Sequence, residues 1–127
     1  MSKMNGRMLS AAEILASGNK LHLETVATPE WGGPGASTYI RRLSGLDAGA
    51  TQKVAAHHVE DKGNEGRSLA RWCILGCCDK GGAPIFKEEQ LEELIKTPMA
   101  ALQRCTCAIM RLNGMTAEEG EKKTATV

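Results

Sequence analysis

An α+β fold is predicted, with a short N-terminal helix, an antiparallel β-hairpin and a mainly α-helical remainder. Three patterns carry it. A capping box stands near the start at Ser10-Ala11-Ala12-Glu13, where the serine hydroxyl accepts from the third helical amide and the glutamate reaches back. Two β-rich segments, Leu21-His22-Leu23-Glu24-Thr25-Val26 and Thr38-Tyr39-Ile40-Arg41-Arg42-Leu43, flank a loop of glycine and proline, as in a hairpin with a long connection. Further on, Thr97-Pro98 and Asn113-Gly114 bracket a segment whose apolar residues recur at helical spacing, with start and stop signals in the expected order.

Each element follows from local chemistry. The first helix carries Ile14 and Leu15 and ends at Gly18 or Asn19; a helix this short is marginal in water and is expected to dock on something. The first strand alternates apolar and polar with one face on a core, which places His22 on the polar face. Pro29 stops it, and Trp31-Gly32-Gly33-Pro34-Gly35 is expected to form no regular element. In the second strand Thr38, Ile40 and Arg42 share one face. A weak helix begins at Asp47 and passes through Val54, Ala55 and His58, before a polar loop, Asp61-Lys62-Gly63-Asn64-Glu65-Gly66. Residues 67–77 are strongly apolar and read either as a buried helix or as a helix running into a short strand. Asp79-Lys80-Gly81-Gly82 is a turn, and Ala83-Pro84-Ile85-Phe86 leaves it extended. An acidic helix over 88–96 places Leu91, Leu94 and Ile95 on one side. Then comes the bracketed helix, with Thr97 as cap and Leu102, Cys105, Ile109 and Leu112 as one stripe. Thr116-Ala117-Glu118-Glu119 resembles another N-terminal turn. One domain over residues 1–119 and a polar tail over 120–127 are expected.

Composition narrows the function. The 127 residues include 42% apolar and 24% charged side chains, ordinary values for one globular domain. With 16 basic and 15 acidic residues the net charge is +1, so the clustered basic excess of a nucleic-acid binder is missing. The longest stretch without a charged residue covers only residues 31–40 and contains three glycines and a proline, too short and broken for a membrane span. No apolar run of signal-peptide length follows Met1, so the chain is expected to stay in the cytosol, with its five cysteines as reduced thiols.

No catalytic set emerges, and no enzyme class is implied. Cys73, Cys77 and Cys78 form one group and Cys105 and Cys107 another, without the paired knuckle spacing of a zinc site; reduced cysteine packing as a small apolar side chain is the simpler account. His57-His58 are neighbours rather than i, i+4 partners, a poor metal pair. The glycine loop lacks the Gly-Lys-Ser/Thr of a phosphate loop. Its Trp31 is a candidate contact residue, since tryptophan is enriched in interface anchors. Glu88, Glu89, Glu92 and Glu93 form a solvated helix face. No cofactor is expected.

The order of short blocks is informative. Val26-Ala27-Thr28-Pro29-Glu30-Trp31-Gly32-Gly33 is followed by Asp79-Lys80-Gly81-Gly82-Ala83-Pro84-Ile85-Phe86 and then by Arg111-Leu112-Asn113-Gly114-Met115-Thr116-Ala117-Glu118-Glu119. Between Leu9 and about Glu119 this arrangement resembles the small tail assembly chaperones of long-tailed bacteriophages and prophages. It departs from them at the added length of Pro34-Gly35-Ala36-Ser37, in the alanine- and glycine-rich segment 48–66, and at Lys87, where a Thr or Ser cap is typical.

The resemblance implies a non-enzymatic protein of the host bacterial cytoplasm that binds the helical tape-measure protein and keeps it soluble. It also implies help in recruiting tail-tube subunits and absence from the finished virion. A longer frameshift product often accompanies such chaperones, and Lys122-Lys123 is compatible with a slippery adenine run; this frameshift-extended form is a further expected partner. Exposed apolar stripes on a tape measure call for adaptable apolar side chains. Met99, Leu102, Ile109 and Met110 join Trp31 as candidate partner-binding residues, with the hydrophobic core as the competing account of Leu102 and Ile109. A cysteine-based metal or thiol module, or a minor structural virion protein, are the alternatives.

Overall fold

The computed structural model describes residues 7–18 and 20–115. The turn expected at Thr116-Ala117-Glu118-Glu119 and the polar tail lie outside the described residues. The fold is α+β, with a three-stranded antiparallel sheet in the order β1-β2-β3 and a mostly helical remainder.

Helix α1 (Ala11–Ser17) has the expected capping box: Glu13 N donates to Ser10 Oγ at 3.2 Å and Ser10 N to Glu13 Oε1 at 2.8 Å. It does not dock as expected. None of its residues is buried, and Ile14 and Leu15 stand 54% and 75% exposed.

Strands β1 (Leu23–Ala27) and β2 (Ser37–Arg41) pair with Thr25 opposite Tyr39. The core face of β1 is the reverse of the one its alternation suggests. Val26 is buried opposite Thr38, whereas Leu21 is exposed and Leu23 half-buried. The reason lies in the partners: Thr38 and Ile40 of β2 face the helices, so register carries the even-numbered residues of β1 with them. Leu21 instead lies against Gly82, where an added Cβ would stand 2.8 Å from Leu21 Cδ1. Next to the sheet, the hydroxyls of Thr28 and Thr38 share a buried hydrogen bond of 2.8 Å.

The glycine-containing connection is not wholly irregular. Pro29 supplies the N-terminal φ of a single helical turn, α2 (Pro29–Gly32), before Gly33 breaks it. After β2, a 3-10 turn (Gly45–Asp47), capped by Ser44, leads into α3 (Ala48–Glu60). No residue of α3 is buried; Val54 and His57 are half-buried, while Ala55 and His58 face solvent.

The polar stretch after α3 is shorter than the sequence suggests, because Glu65 and Gly66 already belong to α4 (Glu65–Gly76). Asp61 in this turn is buried, accepting from Arg71 Nε at 2.8 Å and lying 3.8 Å from Arg67 Nε. Helix α4 runs directly into β3 (Cys77–Cys78), which pairs with Tyr39 and Ile40 of β2. The second of the two sequence alternatives for residues 67–77 is therefore the one adopted. Arg41 closes the helix end, with Nε and Nη2 donating to the Leu75 carbonyl at 3.1 and 2.9 Å while its fork also meets Asp47.

The Asp79 carboxylate accepts from the amides of Gly81 and Ala83, which shapes the turn before Pro84. A 3-10 turn (Glu88–Gln90) then opens α5 (Leu91–Ile95); the carboxamide of Gln90 accepts from the Lys87 amide at 2.8 Å.

Helix α6 (Met99–Leu112) ends at Asn113-Gly114 as expected. Its start differs: Thr97 Oγ1 donates back to the Leu94 carbonyl at 2.8 Å, terminating α5, and Pro98 occupies the cap position. Asn113 fastens the far end, accepting from Leu43 N at 2.6 Å and donating to Ile109 O at 2.9 Å.

The core lies between the sheet, α4 and α6, with Ile40, Ala70, Cys73, Leu102, Cys105 and Ile109 essentially inaccessible. Gly76 sets the approach of the two helices. A Cβ there would lie 2.5 Å from Ile109 Cγ1 and 2.6 Å from Cδ1, so only glycine lets them come this close. Among the described residues, no helix is long and apolar enough to cross a membrane.

Candidate functional site

The five residues singled out from sequence do not form one surface. Leu102 and Ile109 are corrected to core positions, 1% and 0% exposed, because the stripe they share with Cys105 faces α4 and the sheet. Met110 is half-buried against that core. Trp31 is also half-buried, its ring edge-on to Phe86 with centroids 6.0 Å apart. Its indole N–H is enclosed without an acceptor among the described residues. Met99 alone stands well out, at 64% exposure.

One concave surface lies along the outer side of α6. Thr25 and Val26 of β1 form one wall, and Gln103, Arg104, Cys107 and Arg111 the other, around an open groove of about 560 Å³. Met99 precedes Gln103 by four residues, so it continues the same helical face. Among the described residues the groove borders an unpaired sheet edge, because β1 is the outermost strand. Thr28 N donates to Ala36 O and Arg42 N to His22 O. Even-numbered residues therefore bond to β2, and the odd-numbered Leu23, Thr25 and Ala27 direct their amides and carbonyls outward.

Arginines guard this edge. Arg104 Nη1 donates to the Ala27 carbonyl at 2.7 Å and to Glu30 Oε1 at 3.0 Å, while Nη2 donates to Glu30 Oε2 at 2.9 Å. The guanidinium hydrogen bonds hold the Glu30 carboxyl well below its ordinary range, at about 2. At the other end Arg111 lies 3.9 Å from Glu24.

A second hollow of about 370 Å³ opens between α3, α4 and the Pro84–Phe86 region. Val54, Ile74, Phe86 and Leu91 make its floor, with Lys53 and Glu88 among the lining residues. Sequence periodicity missed it, since it depends on α3 standing off α4 over the extended segment. The only available signal was the recurrence of Ala50, Val54 and His57 on α3.

The cysteines divide by access. Cys73, Cys77, Cys78 and Cys105 are buried, and Cys107 alone is exposed. The Cys73 thiol is pushed up to about 12, first by its hydrogen bond with Cys105, and Cys77 is raised by the same neighbour. Their hydrogen bonds lower Cys105 instead. Cys73 Sγ also lies 3.6 Å from the Leu102 carbonyl and 3.7 Å from Thr106 Oγ1. Among the described residues, no group of three or more His, Cys, Asp or Glu side chains could hold a metal ion.

No family model and no curated protein matches the chain. Among solved structures, its fold is similar to that of the bacteriophage HK97 tail assembly chaperone. The TM-score is 0.50 at 19% sequence identity, over 81% of this chain and 95% of that one. The α+β architecture is thus of a tail-assembly-chaperone-like kind.

Proposed function

We propose that this protein is a tail assembly chaperone of a long-tailed bacteriophage or prophage, acting without catalysis or cofactor in the cytoplasm of the host bacterium. The observation that carries the reading is the similarity of fold to the bacteriophage HK97 tail assembly chaperone. The ordered sequence blocks support it independently.

In this reading the chain binds an apolar stripe of the helical tape-measure protein and keeps it from aggregating until tail-tube subunits assemble around it. The groove between β1 and α6 supports such a role, with small and adaptable side chains at Ala100, Gln103 and Cys107 and Met99 beside them. A frameshift-extended form of the same chain would carry the same groove.

Co-expression with the neighbouring gene for the longest coiled-coil protein tests this. The long protein is expected to become soluble and to co-purify with this chain, but not with a Met99→Asp/Gln103→Glu variant of unchanged melting temperature. A long protein insoluble in both cases, or soluble alone, would overturn the reading. Purified particles should lack the chain; finding it there would make it a virion component instead.

A further inference from the structure

The hollow between α3 and α4 plays no part in the chaperone reading, yet its lining is that of a small-ligand site. Val54, Ile74, Phe86 and Leu91 pack on the core and remain half-buried, and their uncovered sides meet in the hollow. Its volume of about 370 Å³ suits a small guest; such sites are mostly apolar, with a few polar groups that fix the guest's orientation.

Helix geometry supplies those polar groups. Ala50, Lys53, Val54 and His57 recur at i, i+3, i+4 and i+7, so one face of α3 forms a wall. Lys53, His57 and Arg71 all line the hollow, against the single carboxylate of Glu88. Arg71 is paired with Asp61 and His57 with Glu60, but both of these carboxylates stand outside the lining. Lys53 is exposed and has no ion-pair partner among the described residues. The charge that faces a guest is therefore mainly positive and lies along α3. The groove beside α6 differs, since its arginines already engage Glu30 and Glu24.

We infer that this hollow binds a medium-chain fatty acid, with its alkyl tail on Val54, Ile74, Phe86 and Leu91 and its carboxylate on the Lys53 ammonium. The aliphatic and aromatic floor favours an apolar tail. Attraction at Lys53 and repulsion at Glu88 act together to set an anionic head against α3. The inference goes beyond the chaperone reading and stands or falls separately from it.

Calorimetric titration of the full chain with hexanoate, octanoate and decanoate, each below its micelle concentration, tests the site. Affinity is expected to rise about fourfold for each added methylene group. Lys53→Gln, at an exposed position, should weaken octanoate about two- to fivefold and leave octanol binding unchanged. Glu88→Gln should strengthen octanoate and likewise leave octanol unchanged. Ala50→Phe, also at an exposed position, fills the hollow and should abolish binding of both without lowering the melting temperature. The amide signals of Val54 and Ile74 should shift on binding, while those of Thr25 and Gln103 stay in place. No binding of any of the three acids, or affinity that ignores chain length, would overturn the proposal. So would a Lys53→Gln variant that binds octanoate as wild type does, or octyltrimethylammonium bound as tightly as octanoate. Shifts confined to Thr25 and Gln103 would place the guest in the other groove and overturn it equally. The co-expression result is independent of all these outcomes.

Discussion

Arg104 of α6 joins three pieces of chain with one guanidinium: it grips both carboxylate oxygens of Glu30 at 3.0 and 2.9 Å and the Ala27 carbonyl at 2.7 Å. The link fastens the end of β1 and the α2 turn to the middle of the longest helix. It also fills one acceptor on an otherwise open sheet edge, one way such edges are kept from pairing with other chains.

Acid should loosen this arrangement in a defined window. Glu30 is ordinarily near 4.5 but titrates at about 2 in the fold. Its contribution is therefore present above pH 4.5 and is lost as pH falls from there towards 2. Asp61, lowered chiefly by the Arg71 hydrogen bond, has the same sign. Melting temperature should fall over that range, and Glu30→Gln should flatten the slope while lowering stability near neutrality. An unchanged slope would show that the carboxylate is not held by Arg104.

Gly76→Ala should destabilise the protein by about 1–3 kcal/mol, because the new methyl group would stand 2.5 Å from Ile109 Cγ1. Combining it with Ile109→Val removes one of the colliding atoms, so the double variant should lose less than the sum of the two. Chemical denaturation of the four proteins of this cycle measures the difference.

The stripe on α6 can be dissected by the same means. Leu102→Ala should cost about 2–5 kcal/mol, since it opens a cavity in the closed core. Met99→Ser should stay within about 0.5 kcal/mol of wild type, as surface changes do. A large loss at Met99 would mean that its side chain is packed rather than free.

The buried hydroxyl pair offers a sharper contrast. Thr28→Val strands the Thr38 hydroxyl and should cost about 1–3 kcal/mol, whereas Thr28→Val/Thr38→Val removes both polar groups and should recover most of that loss. Equal loss in the single and double variants would assign the effect to packing alone.

Thiol labelling should count one fast cysteine. With Cys107 exposed and the other four enclosed, a maleimide should modify the native chain once and the unfolded chain five times. Mass spectrometry reads the number, and Cys107→Ser should abolish the native adduct.

These outcomes bear on what could be read from the chain. Capping at Ser10 and the stop at Asn113-Gly114 were legible because each is written in neighbouring residues. The face of β1 was not: Leu21 and Leu23 advertise one side, but pairing with Thr38 and Ile40 commits the strand to the other. Likewise Thr97 has a good cap's side chain, yet its hydroxyl turns back to Leu94 and ends the preceding helix. The α6 stripe could be seen from spacing, but spacing alone does not distinguish core from contact surface. The hollow over α4 was invisible because its walls come from segments far apart in sequence.

Helix α3 buries no side chain, but it is flanked by charge clusters: Asp47 with Arg41 ahead of it, and Asp61 with Arg67 and Arg71 beyond it. Such a helix is held by ion pairs at its ends and by the half-buried Val54 rather than by fully buried side chains. Its amide protons should exchange with solvent through local opening, and faster as ionic strength rises, while those of α4 and α6 wait for global unfolding. The hollow it borders then has one hinged wall, able to widen or narrow around an occupant while the core beneath stays intact.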